Sequence, residues 1–246
     1  MSKPLGILVA VATWQLAVST LHPPTYILPP PEQVVGAVIA HPNLFWHNAR
    51  TTVGEVLLGL ALATAGVLVW AGFFVCLPRV RRAVFPSLVA FQAIPKDAFA
   101  PMLILWLGFS PLPKAILAAL TAFFPLLVAT LVGMDRFTTD QRHLMASMGA
   151  GSATTLAKVR LWVALPSLLG GFKVAITFGT GAAVVGEYIG SDDGIGYQIL
   201  QASRNLDGGL FYASIVVLVS IALLLVAIVD LLPRCIPGLA AMEGRR

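Results

Sequence analysis

Five ionisable side chains fall inside or at the ends of long apolar segments, where a charge is costly: Glu55, Lys96, Asp97, Glu187 and Asp230. A charge at membrane depth usually pairs with a partner or lines a polar path, so each is a candidate contact for a solute. Lys96 and Asp97 stand out because Pro95 and Pro101 interrupt the helical pattern around them. Broken helices occur at membrane depth where the backbone is buried or lines a cavity.

These residues also have structural interpretations. Asp230 and Lys96 can reach the headgroup region, and Glu187 can serve a structural hydrogen bond as well as a solute contact. Gly181 belongs to a glycine-rich segment that permits close helix approach, at a dimer seam, along a pathway or inside the subunit. The predicted pathway residues are Lys96, Asp97, Gly181 and Glu187.

The one long polar interruption of the chain lies between residues 134 and 166, where two apolar blocks are separated by four basic side chains. The sequence predicts two short helices joined at a glycine. Thr139 or Asp140 can cap the first helix, and Gly149 can end it in the left-handed conformation. Ser152 can cap the second helix, which runs to the proline at the end of the stretch.

This helical hairpin suits a contact with another protein, because it protrudes from the bilayer and presents small residues at its tip. The candidate contact residues are Arg142, His143, Met145, Ala146, Met148, Gly149 and Ala150. The alternative is a solvated connector between spans. Its basic residues would follow from a cytoplasmic location, so charge alone does not separate it from a docking hairpin.

The composition indicates an integral membrane protein. The chain has 246 residues, of which 58% are hydrophobic and 11% charged, whereas a soluble domain averages about 25% charged residues. We therefore expect a single all-α transmembrane domain over residues 1–246, with no room for a soluble catalytic or nucleotide-binding domain. The net charge of +5 is explained by loops next to spans, so we expect membrane lipid rather than nucleic acid as its counterpart.

Six segments approach the roughly 20 apolar residues that a span requires: 5–21, 53–75, 84–108, 113–133, 168–190 and 210–232. The first could instead be a signal peptide, but no small-residue cleavage pattern follows it. Basic residues, including Arg245 and Arg246, concentrate on one side if the N-terminus is cytoplasmic. This asymmetry predicts that both termini and the hairpin are cytoplasmic.

Motifs for chemistry on a substrate are lacking in the sequence. The four histidines have no metal-ligand spacing, and we find no phosphate-binding loop, nucleophile elbow or dinucleotide fingerprint. We expect no metal, no cofactor and no enzymatic activity in this chain.

Several segments together resemble the permeases of binding-protein-dependent ABC importers. The hairpin is similar to their signature loop EAA-x3-G-x9-I-x-LP, with Gly149 as the glycine and Val159 and Leu161 in the next two places. His143-Leu144-Met145 and Trp162 depart from that pattern. Closer matches to the subgroup that imports nitrate, sulfonates and taurine are QAIPKDAFAPMLILWLGFSPLPK (92–114), AFFPLLVATLVGM (122–134) and VVGEYIGSDDGIGYQI (184–199).

The resemblance implies the type I ABC importer permease fold, with six transmembrane helices and a cytoplasmic coupling-helix hairpin. It also implies the partners: a second permease subunit in a homodimer, two ATPase subunits that bind ATP and magnesium, and a periplasmic or lipid-anchored solute-binding protein. The location would be the bacterial inner membrane. The expected solute is a small anion such as nitrate, a sulfonate or taurine. An alternative solute is a heterocyclic vitamin precursor, which similar permeases import. An alternative class of protein is a secondary transporter, which would be expected to contain an internal repeat; none is visible in the sequence.

Overall fold

The computed structural model describes residues 3–235, and this part of the chain is helical, without strands. The helices are α1 (Lys3–Leu21), α2 (Pro31–Ala40), α3 (Pro42–Cys76), α4 (Pro78–Phe91), a 3-10 helix (Lys96–Phe99), α5 (Ala100–Leu107), α6 (Pro111–Met134), α7 (Thr139–Ser147), α8 (Ser152–Thr155), a π-helical turn (Leu156–Arg160), α9 (Leu161–Gly190), α10 (Ile195–Arg204) and α11 (Gly208–Cys235). Arg245 and Arg246 lie outside the described residues, as does the end of the predicted 1–246 domain.

The core is formed by α3, α6 and α9, which pack along their lengths through small residues. A Cβ atom added to Gly59 would lie 2.7 Å from the carbonyl oxygen of Ala115, and one added to Gly133 would lie 2.7 Å from Cα of Ala164. Such contacts bring the helix backbones close together. Close approach matters in lipid because van der Waals attraction, rather than the hydrophobic effect, holds the helices together.

Within residues 3–235, four helices are long and apolar enough to cross a membrane: Pro42–Cys76, Pro111–Met134, Ser152–Gly190 and Gly208–Pro233. The pair Pro78–Phe91 and Lys96–Leu107 makes a fifth span if it is counted as one. The apolar part of α1, Leu8–Leu21, is shorter. The all-helical prediction is thus confirmed, whereas the predicted number of six spans stays a prediction.

The segment predicted as one span over 84–108 is not a continuous helix. Its two halves meet at an angle of 80°, because α4 ends at Phe91 and the next helix begins only after Pro95, which has extended backbone (φ −66°, ψ 100°). Proline disfavours helical backbone at the residue before it and lacks an amide donor. The interruption predicted at Pro95 is confirmed, but Pro101 lies in the first turn of α5 and does not break it.

The hairpin differs from the sequence prediction in its helix ends. Thr138, one residue before the predicted caps, caps α7 in a capping box with Gln141, which satisfies two backbone amides. Gly151 rather than Ser152 precedes α8, without a side-chain cap. The second helix also continues past Pro166 as α9, with a π-helical turn on the way. A proline is tolerated where neighbouring helices pack around the freed carbonyl.

The end of the core away from the hairpin is covered by α2, α10 and the start of α11, which share an apolar cluster. The indole of Trp14 donates to the carbonyl of Pro29, and the hydroxyl of Tyr212 donates to that of Ile27. The connection over residues 191–209 contains the short helix α10. It follows Gly194, whose φ of +110° favours glycine.

Candidate functional site

The tip of the hairpin is an exposed turn with apolar side chains. Gly149 adopts φ +67°, which confirms the predicted left-handed glycine, and the amide of Ala150 donates to the carbonyl of Met145 at 3.0 Å. This six-to-one bond is typical of a Schellman turn. Leu144 and Met148 are 60% and 71% exposed. One helical turn apart, they form an apolar patch at the tip.

The candidate contact residues all lie on this element. Arg142, His143, Ala146, Met148 and Gly149 are exposed, whereas Met145 and Ala150 are half-buried. Sequence reasoning missed Leu144, which it treated only as part of a departure from a family pattern. Its spacing of four residues from Met148 was the signal that could have found it.

The base of the hairpin is fixed to the core by specific contacts. The guanidinium of Arg81 in α4 donates to both carboxylate oxygens of Asp135, at 2.8 and 2.7 Å. The guanidinium of Arg160 lies 4.7 Å from the ring centroid of Phe137. These contacts tie the base of the hairpin to α4 and join its two arms.

The charge of Arg81 also acts on its partner. The two hydrogen bonds from Arg81 lower the pKa of Asp135 from its ordinary value, because they favour the ionised carboxylate. Both side chains are partly exposed, so we expect this pair to contribute no more than about 1 kcal/mol to stability.

Lys96 and Asp97 lie at the break between α4 and α5. Lys96 is half-buried and Asp97 exposed. Within residues 3–235 the ammonium of Lys96 makes one hydrogen bond, to the carbonyl of Gln92 at 3.4 Å, and takes part in no ion pair. It borders a cavity of about 220 Å³ between α4 and α6, whose other lining residues are Leu88, Phe91, Gln92, Leu120, Phe123 and Phe124. We call this the α4–α6 cavity.

Glu187 is fully buried in a hydrogen-bonded cluster at the end of the core away from the hairpin. The hydroxyl of Thr52 donates to one carboxylate oxygen at 2.6 Å, and the amide of Gly196 donates to the other at 2.5 Å. Thr52 in turn accepts from the amide of Ile195 at 2.9 Å. Glu187 therefore has the structural role that the sequence left open, since it ties α9 and the start of α10 to α3.

Glu55 and Lys114 form a buried ion pair beside this cluster, 2.9 Å apart, with side chains 1% and 4% exposed. Lys114 also donates to the hydroxyl of Ser191 at 2.8 Å. The sequence predicted both residues near the ends of spans, Glu55 in 53–75 and Lys114 in 113–133. In the structure both helices begin earlier, α3 at Pro42 and α6 at Pro111.

Gly181 lies on the unpacked face of α9. A Cβ atom at Gly181 or Gly170 would meet nothing within 4 Å, whereas one at Gly171 or Gly190 would meet α6 or α5 at 2.5 Å or less. On one face of α9 the glycines thus allow close packing inside the subunit, and on the other face they contact no neighbouring helix. The four predicted pathway residues are not brought together: Lys96 and Asp97 lie at the α4–α5 break, Glu187 in the buried cluster and Gly181 on the open face.

Asp230 pairs with Lys173 across α9 and α11, with both side chains about half exposed. The sequence suggested that Asp230 reaches the headgroup region, without naming a partner for it. A partner two helices away in sequence cannot be deduced from local spacing, so no sequence signal predicted this pair.

Comparisons with known proteins identify relatives along most of the chain. Residues 56–236 match the model of the family described as binding-protein-dependent transport system inner membrane component. A probable ABC transporter permease protein of Haemophilus influenzae is 33% identical over 93% of this chain and 94% of its own length. The formylaminopyrimidine transport permease protein ThiX of Halalkalibacterium halodurans is 32% identical over 87% and 86%. The taurine transport system permease protein TauC of Escherichia coli is 29% identical over 90% and 83%.

Proposed function

The chain belongs to the inner membrane components of binding-protein-dependent transport systems, and we propose that it forms the solute pathway of an ATP-driven importer whose ATPase subunits dock on the 134–166 hairpin. Family membership makes it a multi-pass permease subunit, a transport component rather than an enzyme, that works with ATPase and solute-binding partners. The docking site, the dimer, the orientation and the solute are the proposed parts.

The observation that carries the docking proposal is the combination of an exposed tip and an anchored base. Leu144 and Met148 offer an apolar surface that a partner's cleft can bury, and Gly149 sets the turn between the two arms. Because Arg81 and Arg160 fix the base, a displacement of the tip by the ATPase would be transmitted to α4, α6 and α9. This is a rigid-body switch in which ATP binding favours one state by differential affinity.

We assign the other partners from the same argument. A second copy of the chain would cover the open face of α9 around Gly181 and close the pathway. The hairpin and both termini would face the cytoplasm. The solute-binding protein, periplasmic or lipid-anchored, would deliver the solute on the external side. ATP and magnesium would be bound by the ATPase subunits, and this chain would need no cofactor of its own.

The test of docking uses two matched glycine variants. Gly149→Leu places a side chain at φ +67°, which costs about 1–2 kcal/mol in the left-handed conformation. Gly151→Leu makes the same change two residues away, at φ −71° and in open space. We expect Gly149→Leu to lose ATPase co-purification and ATP-driven uptake, and Gly151→Leu to retain both. Normal uptake by Gly149→Leu with its ATPase bound would refute the docking assignment.

The solute is a small molecule, with an anion such as nitrate, a sulfonate or taurine as the first candidate. Lys96 supports an anion, because a cation beside the α4–α6 cavity lowers the cost of moving negative charge through a low-dielectric path. The 29% identical TauC is named for taurine. The alternative is a heterocyclic vitamin precursor, for which the 32% identical ThiX, named for formylaminopyrimidine, is the supporting observation.

Uptake by Lys96 variants tests the pathway role. We expect Lys96→Gln to reduce import of an anion and Lys96→Arg to keep part of it, at matched membrane abundance and with ATPase binding unchanged. Near-normal import by Lys96→Gln would show that the side chain only reaches the headgroup region. Uptake driven by an ion gradient without ATP would favour a secondary transporter instead.

A further inference from the structure

Two arginines line a cavity inside the hairpin, one from each arm. Arg142 belongs to α7, and Arg160 ends the π-helical turn of the second arm. The cavity measures about 380 Å³, and Phe137, Ser152 and Thr155 also line it. We call it the hairpin cavity. Its lining within the described part of the chain includes guanidinium and hydroxyl groups but no carboxylate. Because a guanidinium only donates hydrogen bonds, the cavity has the polarity that an oxyanion requires.

The two arginines have no ion-pair partner in the structure. Neither Arg142 nor Arg160 takes part in an ion pair within residues 3–235. The carboxylate whose charge acts on Arg160 is that of Asp135, and both of its oxygens are bound by Arg81. The charges of Arg142 and Arg160 also act on each other. Like charges repel, so an anion between the two arginines would replace one repulsion by two attractions.

Arg160 is oriented before any ligand binds. Its guanidinium lies 4.7 Å from the ring centroid of Phe137, a cation–π contact that holds the side chain at the cavity wall. Arg160 is half-buried, whereas Arg142 is exposed. A side chain that is already ordered loses little conformational entropy on binding. A guanidinium can also bind both oxygens of a carboxylate at once, which favours a carboxylate as the ligand group.

The position of the hairpin cavity favours a cytoplasmic protein over a lipid headgroup. Trp162, two residues after Arg160, is 55% exposed, and tryptophans of membrane proteins concentrate at the membrane–water interface. Ser152 lies about 15 Å before Trp162 along the same helix. A headgroup at the level of Trp162 would therefore meet Arg160 but not the part of the cavity at Ser152, whereas a protein that approaches from the cytoplasm meets both.

The hairpin cavity adjoins the apolar tip of the hairpin. Met145 and Ala146 of α7 line the cavity, and they stand in the chain between Leu144 and Met148, the exposed residues of the tip. A partner whose cleft buries the tip therefore brings its own side chains to the rim of the cavity. A neutral partner surface would cover two cations without an anion, and burying an unpaired charge is costly.

We propose that the hairpin cavity receives an aspartate or glutamate side chain of the docked ATPase, whose carboxylate is bound jointly by Arg142 and Arg160. The hydroxyls of Ser152 and Thr155 line the same cavity and can donate further hydrogen bonds. This inference rests on the proposed docking function and adds the chemistry of the partner surface, which is an apolar cleft with an acidic side chain at its edge.

The first experiment is a zero-length cross-link in the complex of the permease with its own ATPase subunits. Arg142→Lys keeps the positive charge and places a primary amine at the cavity, which a carbodiimide joins to a carboxylate in direct contact. Arg136→Lys is the matched control, because Arg136 is an exposed arginine of the same hairpin that does not line the cavity. We expect peptide mapping to show position 142 joined to an aspartate or glutamate of the ATPase, and position 136 not joined to that residue.

The second experiment measures the affinity of the ATPase for the permease in phosphatidylcholine nanodiscs, where no anionic lipid is present. Arg142→Gln should weaken binding by about tenfold, the value of one hydrogen bond to a charged group. It should also make binding less sensitive to salt, because one charge pair is lost. Arg136→Gln should keep the wild-type affinity.

Three results would overturn the inference: a cross-link from position 142 to a second copy of the permease, no cross-link from that position, or an ATPase affinity that Arg142→Gln leaves unchanged. A thermal stability that phosphatidylglycerol raises in wild type but not in Arg142→Gln would assign the cavity to lipid instead. The proposed function stands in all these cases as long as the ATPase binds the wild-type permease and Gly149→Leu abolishes binding. An ATPase that does not bind the wild-type hairpin would refute the function itself.

Discussion

Replacing Lys114 by methionine should be among the most damaging single changes in the core. Methionine keeps most of the length and the apolar stem but removes the ammonium, which lies 2.9 Å from Glu55 and 2.8 Å from the hydroxyl of Ser191. Glu55 is 1% exposed, and neighbouring Glu187 already has its own donors in Thr52 and Gly196. The variant therefore leaves a buried carboxylate without its counter-ion.

The magnitude follows from this burial. Breaking a buried ion pair by removing one partner costs about 3–5 kcal/mol, and each kcal/mol lowers the melting temperature of a chain of this size by about 2–4 °C. We expect Lys114→Met to melt about 6–20 °C below wild type. The pair of Lys173 and Asp230, with side chains 41% and 54% exposed, gives the matched control: Lys173→Met should cost at most about 1 kcal/mol.

The assay is thermal denaturation of the purified permease in detergent, followed by fluorescence size-exclusion, for single and double variants. Glu55→Gln combined with Lys114→Met removes both charges, so the double variant should be more stable than Lys114→Met alone. The reasoning is refuted if Lys114→Met melts within about 4 °C of wild type, or if the double variant loses the sum of the two single losses.

Two further predictions concern the orientation of the chain in the membrane and the ion pair at the base of the hairpin. In a cysteine-free background, Ser110→Cys should react with an impermeant maleimide in intact cells and Ser147→Cys only after permeabilisation; strong labelling of position 147 from outside would reverse the orientation. The pair of Arg81 and Asp135 should stabilise the protein at neutral pH and lose its effect on acidification. Because the folded-state pKa of Asp135 is lowered, its contribution is present above the unfolded-state value and disappears as the pH falls through the folded-state value. Melting curves of wild type and Asp135→Asn should therefore differ by no more than about 2–4 °C at pH 7 and converge in acid, and a gap that widens on acidification would contradict this.

The sequence alone predicted the helical class, the hairpin and its left-handed turn at Gly149. These features depend on local rules: apolar length for the helices, and the φ that a glycine can adopt for the turn. The break at Pro95 belongs to the same group, since proline restricts its own neighbours. The same rules placed the helix N-caps of the hairpin one residue too late, since the structure has them at Thr138 and Gly151. Short-range patterns do not decide between adjacent cap candidates.

The pairing of distant side chains was decided only by the tertiary structure. Glu55 meets Lys114, and Asp230 meets Lys173, because α3, α6, α9 and α11 pack at particular rotations and heights. A charge in an apolar segment is visible in the sequence, but whether it faces a partner, a cavity or lipid depends on which helix lies against it. For the same reason Glu187 became a buried anchor of α10, whereas Lys96 borders a cavity and makes one hydrogen bond within residues 3–235.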